Sequence, residues 1–308
     1  MKEKFRPLIV ILGPTGVGKT EIAIEIARRL DGEIISADSR LFYRGLDIGT
    51  AKPTLEEQSI LPHHLIDVAE PDQEWSLAVY LPRALKSIEE IQAKGKLPFL
   101  VGGTGQYIQA VIQGWDLPGI IPDPALRFVL EDWAELIGPS GLRERLASLD
   151  PVAADGIDGP NIRRMIRALE VIFTSGKRFS DQKRRTGSPF DIFQIGLIRP
   201  REELYVRIDQ RIDRMLERGL VAEVQGLLDS GYSPALSSLS AIGYKQIIAH
   251  LTEGVPLEEA VRQIRSKTRK YVRQQANWFK EDDPEIHWFS AADHPVEKIC
   301  HQIQHFLS

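Results

Sequence analysis

The chain has 308 residues, enough at about 150 residues per domain for one large or two ordinary domains with a sizeable core. Hydrophobic residues make up 43% and charged residues 27%, with 24 Gly, 19 Pro and a single cysteine, Cys300. That balance argues against collagen-like, disordered and disulfide-scaffold chains and against Cys-rich zinc sites. With 39 basic against 43 acidic residues the net charge is −4, which taken whole argues against a polyanion partner.

In chain order, the continuous apolar run Leu8–Leu12 predicts a strand, too short to span a membrane and without a small-residue cleavage site. Gly13-Pro14-Thr15-Gly16-Val17-Gly18-Lys19-Thr20 follows at once and fits G-x-x-x-x-G-K-[ST], with the apolar-periodic segment Ile22 to Leu30 predicting a helix behind it. In such a loop glycines let backbone N–H groups turn around phosphate oxygens, Lys19 adds a point charge, Thr20 is placed for Mg²⁺ and the helix N-terminus adds its positive end. The motif specifies a di- or triphosphate without saying what is attached to it.

A second strand is expected at Glu33–Ala37, a helix at about Trp75–Ala93, a third strand at Leu97–Val101 and a helix after Gly105. This alternation predicts a parallel sheet covered by helices. Asp38-Ser39 and Gly102-Gly103-Thr104-Gly105 then both fall just past the carboxyl ends of strands, where open sheets build ligand crevices. Asp38 is read as facing the phosphate loop or as capping a turn, and the glycine run as a site or as a plain strand-to-helix turn. His63 and His64 lack a third metal ligand and read as structural.

Between Asp116 and Gly187 Pro-rich breaks and short amphipathic helices with no strand-like run predict an inserted helical subdomain, residues 116–191, within a core of 1–115 and 192–308. Ile192–Ile198 returns to strand character, and the remainder reads as helical at Ile208–Leu228, Ala241–Leu251 and Leu257–Phe279. Charge is uneven over this half. Residues 160–200 carry nine basic and three acidic residues (+6), and 261–280 carry seven and none (+7), a candidate nucleic-acid surface or else a solvated helix face.

Taken with Asp47-Ile48-Gly49-Thr50-Ala51-Lys52-Pro53, Pro62-His63-His64-Leu65-Ile66-Asp67, Gln106-Tyr107, Arg167-Ala168-Leu169-Glu170, Ile242-Gly243-Tyr244-Lys245-Gln246 and Trp278-Phe279, the motifs resemble, in order and along nearly the whole chain, the tRNA dimethylallyltransferase (tRNA isopentenyltransferase) family. The resemblance implies a P-loop NTPase-like α/β fold whose helical insertion binds tRNA. It implies transfer of a dimethylallyl group from dimethylallyl diphosphate to N6 of the adenine at position 37 in the anticodon loop, giving N6-dimethylallyladenosine, with Mg²⁺ required.

By matching, Asp38 is the general base, Thr104 a hydrogen-bonding partner at the reacting centre, Lys19 and Thr20 the diphosphate and metal contacts, and Arg211 a further phosphate contact. Ser39, Arg40, Leu41, Arg127, Arg163, Arg164, Met165, Ile166, Arg167, Lys245 and Arg273 fall at tRNA-contacting positions. A cytoplasmic monomer with no obligate protein partner is expected. Two departures stand out. Leu41 replaces the family's usual Gln and cannot make its amide hydrogen bonds, and Arg273-Gln274-Gln275 replaces Lys-Arg-Gln, removing one positive charge. A small-molecule kinase, an RNA-binding ATPase or GTPase switch, and a prenyltransferase acting on free adenine nucleotides are the competing readings of the same loop.

Overall fold

The computed structural model describes residues 5–117, 123–182, 184–185 and 187–308. The strands are β1 (Pro7–Leu12), β2 (Gly32–Ala37), β3 (His63–His64), β4 (Leu97–Gly102), β5 (Trp115–Asp116), β6 (Arg184–Arg185), β7 (Asp191–Ile198) and β8 (Ile286–Ser290). The first helices are α1 (Lys19–Arg29), α2 (Leu55–Ile60), α3 (Leu77–Ala93), α4 (Gly105–Ile112), α5 (Pro124–Leu149), α6 (Pro151–Asp155), α7 (Ile162–Ser175) and α8 (Phe179–Gln182). They are followed by α9 (Arg201–Glu217), α10 (Leu220–Asp229), α11 (Tyr244–Glu253), α12 (Leu257–Gln275) and α13 (Val296–Leu307).

The chain divides into two compact units, residues 1–112 with 188–308, and residues 113–187. In the first, a six-stranded parallel sheet runs in the order β3-β2-β4-β1-β7-β8. Residues of β2 and β4 are buried throughout, as are all but the first of β1, the pattern of strands covered on both faces. The crossover from β1 to β2 leaves a gap that β4 fills, and the register aligns Leu12 with Gly102 and Gly102 with Ala37. The three turns that follow β1, β4 and β2 therefore leave the sheet side by side at one level.

Several elements differ from the sequence expectation. β8 lies past Phe279, in a remainder read as mostly helical but given no element there, because a five-residue strand at the sheet edge carries too little alternation to stand out. Ile208–Leu228 is two helices, since Gly219 at φ 96° turns the chain between α9 and α10. α12 stops at Gln275, four residues early, and Asn277 and Trp278 close turns back onto Gln274 and Gln275.

The second unit contains a short antiparallel pairing of β5 with β6, where no strand was expected, and its limits lie three to four residues N-terminal of the sequence estimate. It has its own core of Leu130, Leu142, Leu146, Met165, Ile166 and Leu169 with smaller side chains between them. Within it Glu170 is fully buried yet ionic. Arg127 and Arg167 bond its Oε2 at 2.8 and 2.7 Å, and the Asp123 N–H bonds its Oε1 at 3.1 Å. Burial alone raises the Glu170 carboxyl, but hydrogen bonds from Arg167 and Arg127 outweigh it and hold the group below its usual range.

A folded value below the unfolded one means that this clamp stabilises at neutral pH and is lost as pH falls through the folded value. Both arginines keep about a third of their surface in water, so removing the charge strands them only partly. Glu170→Gln is expected to destabilise the unit by about 1–3 kcal/mol, read from urea unfolding, with the loss shrinking in acid. Unfolding curves that superimpose at neutral pH would sink this account of the clamp.

Candidate active site

Gly13 leaves β1 at φ 149°, and a Cβ there would lie 2.6 Å from the Leu197 carbonyl of β7, so only glycine lets the loop start beside that strand. The loop then turns through Gly16 and Gly18 into α1, with the Val17 side chain buried beneath it. The Thr15 N–H is held by Gln275 Oε1 at 2.9 Å and the Val17 N–H by the Pro14 carbonyl at 3.3 Å. Lys19 folds back across the loop and donates to the Gly13 and Pro14 carbonyls, each at 2.9 Å.

The two neighbouring turns complete the site. Thr104 Oγ1 accepts the Ser39 N–H at 3.1 Å, and the Thr104 N–H bonds the Ala37 carbonyl at 3.2 Å, so the turn after β4 grips the start of the Asp38 turn. Asp38 Oδ1 accepts the Arg40 N–H at 2.9 Å, so the turn-capping role and the site position coexist. Under this turn Phe42, Trp75, Tyr80 and Tyr107 pack ring against ring, with Tyr80 and Tyr107 stacked at 4.3 Å.

Charges converge from α9 as well. Burial lowers the Arg211 guanidinium while Asp38 opposes the shift, and Asp38 and Arg211 in turn both act on Lys19. Arg207, one turn before Arg211, donates to the Gly16 carbonyl at 3.0 Å, a phosphate-loop contact that carries no sequence signal. Arg211 is aimed by the Thr50 carbonyl, 3.1 Å away.

The loop bearing Thr50 is held by the carboxylate of Glu223 in α10. Glu223 accepts the N–H groups of Asp47, Ile48 and Gly49 at 2.7–3.2 Å and also the Tyr244 hydroxyl. Buried Lys52 adds bonds to Asp47, Asp67 and the Tyr43 carbonyl. The Asp47–Pro53, Pro62–Asp67 and Ile242–Gln246 motifs thus build one scaffold behind Arg211. His63 and His64 serve structure too, bonding the Leu61 carbonyl at 2.9 Å and Glu33 at 2.7 Å.

The residues matched to tRNA contacts separate into several kinds. Arg163 and Arg164 are exposed on α7, as are Lys245 and Arg273 in the first unit, and Leu41 and Ser39 are partly exposed. Met165 and Ile166 are corrected: at 0% and 4% exposure their side chains belong to the core of the second unit and cannot face RNA. Arg127 and Arg167 bind Glu170, and the Arg40 guanidinium bonds the Ser237 and Ser238 carbonyls. The basic stretch 261–280 is likewise partly neutralised within the protein, since Arg265 pairs with Asp213, Arg269 with Asp209 and Arg262 with Glu259.

A phosphate loop, a carboxylate and a hydroxyl at the carboxyl edge of a parallel sheet define a P-loop-like α/β protein. Residues 41–282 match the family model described as IPP transferase, and residues 7–67 match that of Isopentenyl transferase. A tRNA dimethylallyltransferase of Thermomicrobium roseum is 46% identical over 286 residues, 93% of this chain and 87% of that protein. The crystal structure of the full-length tRNA isopentenylpyrophosphate transferase of Bacillus halodurans aligns with TM-score 0.73 at 41% identity, over 98% of this chain and 97% of that one. A eukaryotic dimethylallyltransferase captured acting on tRNA aligns with TM-score 0.77 at 28% identity, over 93% of this chain and 74% of that one. The chain belongs to the IPP transferase family.

Burial lowers the Lys19 ammonium to about 8, with Asp38 opposing the shift and Arg211 adding to it. A bound phosphate anion raises that value again, so binding takes up a proton once pH exceeds the free-protein value. Calorimetric affinity for inorganic diphosphate is expected to fall as pH rises above about 8, by up to tenfold per unit. In Lys19→Arg, whose guanidinium does not titrate there, the fall should flatten. Identical pH profiles for the two proteins contradict the assignment.

Proposed function

We propose that the protein transfers a dimethylallyl group from dimethylallyl diphosphate to N6 of the adenine at position 37 in the tRNA anticodon loop, releasing diphosphate. The observation that carries this reading is that Asp38, after β2, lies close enough to Lys19, after β1, and to Arg211 of α9 for their charges to act on one another, acid and cations at one sheet edge. A prenyl diphosphate and an amine need that pairing: cations where the leaving group gathers negative charge, and a base where the nucleophile sheds its proton.

The phosphate-loop residues Gly13, Pro14, Thr15, Gly16, Val17, Gly18, Lys19 and Thr20, with Arg211, hold the diphosphate in this reading. As the carbon–oxygen bond to the diphosphate breaks, Lys19 and Arg211 stabilise the charge left on its oxygens. The adenine N6 forms the new bond to the same carbon, and its proton passes to Asp38. Thr104, bonded to the Ser39 N–H, orients the amine in this reading. Because the N6 lone pair is delocalised into the ring, a carboxylate accepting its proton contributes roughly 10²- to 10⁴-fold.

Among the described residues no group of three His, Cys, Asp or Glu side chains gathers as a metal cage. A Mg²⁺ ion here would take its ligands from the Thr20 hydroxyl, diphosphate oxygens and water, a donor set that suits this ion. When bound, it supplies further neutralisation of the leaving group.

The target adenine must leave its stack, and anticodon loops offer unpaired bases that proteins can extract. Exposed Arg163, Arg164, Lys245 and Arg273 are the proposed grips on the RNA backbone, and binding through them should weaken steeply with salt. No helix among the described residues is long and apolar enough to cross a membrane. A cytoplasmic monomer is the proposed setting.

Labelled dimethylallyl diphosphate incubated with tRNA or with AMP tests the reading. Label is expected in tRNA alone, and Asp38→Ala should lower the transfer rate by about 10²- to 10⁴-fold while still binding inorganic diphosphate. Label entering AMP, phosphate transfer from ATP in place of prenyl transfer, or an unimpaired Asp38→Ala variant would overturn it.

A further inference from the structure

Gln275, in the last turn of α12, is 7% exposed and joins two loops that are far apart in sequence. Its Oε1 accepts the Thr15 N–H at 2.9 Å and its Nε2 donates to the Gly103 carbonyl at 2.9 Å. The partners fix which end of the amide is which, since an N–H requires an acceptor and a carbonyl a donor. One planar side chain thus spans the phosphate loop and the turn after β4.

The fit is close. A Cβ at Gly103 would stand 2.5 Å from Gln275 Nε2, 3.4 Å from the Gly13 carbonyl and 3.5 Å from Lys19 Nζ. The next turn of α12 contributes as well, for Tyr271 interacts through its hydroxyl with both Thr104 and Gln275. Trp278, just past the helix, fills the place where a side chain at Gly105 would go, with Cγ 2.1 Å from that Cβ position. The end of α12 is therefore seated on the site. From the sequence this stretch reads only as a helix facing nucleic acid.

We propose that Gln275 is a positioning residue for the diphosphate of the donor, holding the phosphate loop and the Gly103 turn at a fixed separation before the donor arrives. Its acceptor holds the Thr15 N–H, and its donor holds the strand-end turn that carries Thr104. Lys19 lies between the two. The inference rests on the reading of the phosphate loop as a diphosphate site, and it assigns Gln275 to the donor although its helix also carries the basic residues offered to RNA.

Calorimetric binding of inorganic diphosphate, with separate KM values for donor and tRNA, tests this in the full-length protein. Gln275→Leu removes both bonds at nearly constant volume, and it is expected to weaken diphosphate binding about tenfold and raise the donor KM by a similar factor. The tRNA KM should stay within about twofold. Gly103→Ala, which must displace Gln275 Nε2, should give the same selective loss, so the proposal remains testable if Gln275→Leu does not fold. Gln274→Leu, at the exposed neighbouring position, should leave diphosphate affinity unchanged.

Wild-type binding with unaltered diphosphate affinity in both Gln275→Leu and Gly103→Ala overturns the role of Gln275, as does a parallel rise of both KM values. Failure of the wild-type protein itself to bind diphosphate overturns instead the reading of the loop on which the inference rests.

Discussion

Everything at the site depends on where one strand lies in the sheet. β4 occupies the gap between β1 and β2, and its last residue, Gly102, stands in register with both Leu12 and Ala37. Neighbouring strands lie about 4.8 Å apart, so the starts of three turns fall within about 10 Å along the sheet edge. The central turn can then bond the others: Thr104 reaches the Asp38 turn, and the Gly103 carbonyl is tied through Gln275 to the phosphate loop. Exchanging the places of β4 and β7 would carry the Thr104 turn away from the Asp38 turn with no change in any motif.

The electrostatic arrangement follows from this placement. Three cations, Lys19, Arg207 and Arg211, approach from α1 and α9, and Asp38 faces at least two of them. Burial works against the charges of Lys19 and Arg211 and lowers the Lys19 ammonium to about 8. An anion bound beside these cations would relieve that cost. The backbone around it is rigidly held. Glu223 fixes the loop that aims Arg211, and that carboxylate takes three N–H groups and a tyrosine hydroxyl to do so.

The phosphate loop and the strands around it were legible because β1, β2 and β4 are buried almost throughout and β7 over most of its second half, which favours apolar runs, and because glycine spacing reports a backbone requirement directly. Residues whose roles arise only from packing were not. Arg207, Glu223, Tyr271 and Gln275 act on partners over 100 residues away or on loops their own neighbourhood does not announce, with Gln275 lying 260 residues from Thr15. Basic residues misled for the same reason. Arg265 and Arg269 look like an RNA-facing stripe until α9 supplies Asp213 and Asp209. Met165 and Ile166 were carried along inside a matched segment, although their apolar character at helical spacing already pointed to a core.

The central claim is that one sheet edge holds the donor's diphosphate against Lys19 while presenting Asp38 to the incoming amine. A crystal structure with a non-hydrolysable thio analogue of dimethylallyl diphosphate tests it most directly. The account predicts diphosphate oxygens within hydrogen-bonding distance of Lys19 Nζ and of the amides opening α1, with the prenyl carbon on the Asp38 side of the loop. An analogue seated elsewhere, or with its prenyl tail directed away from Asp38, would contradict it.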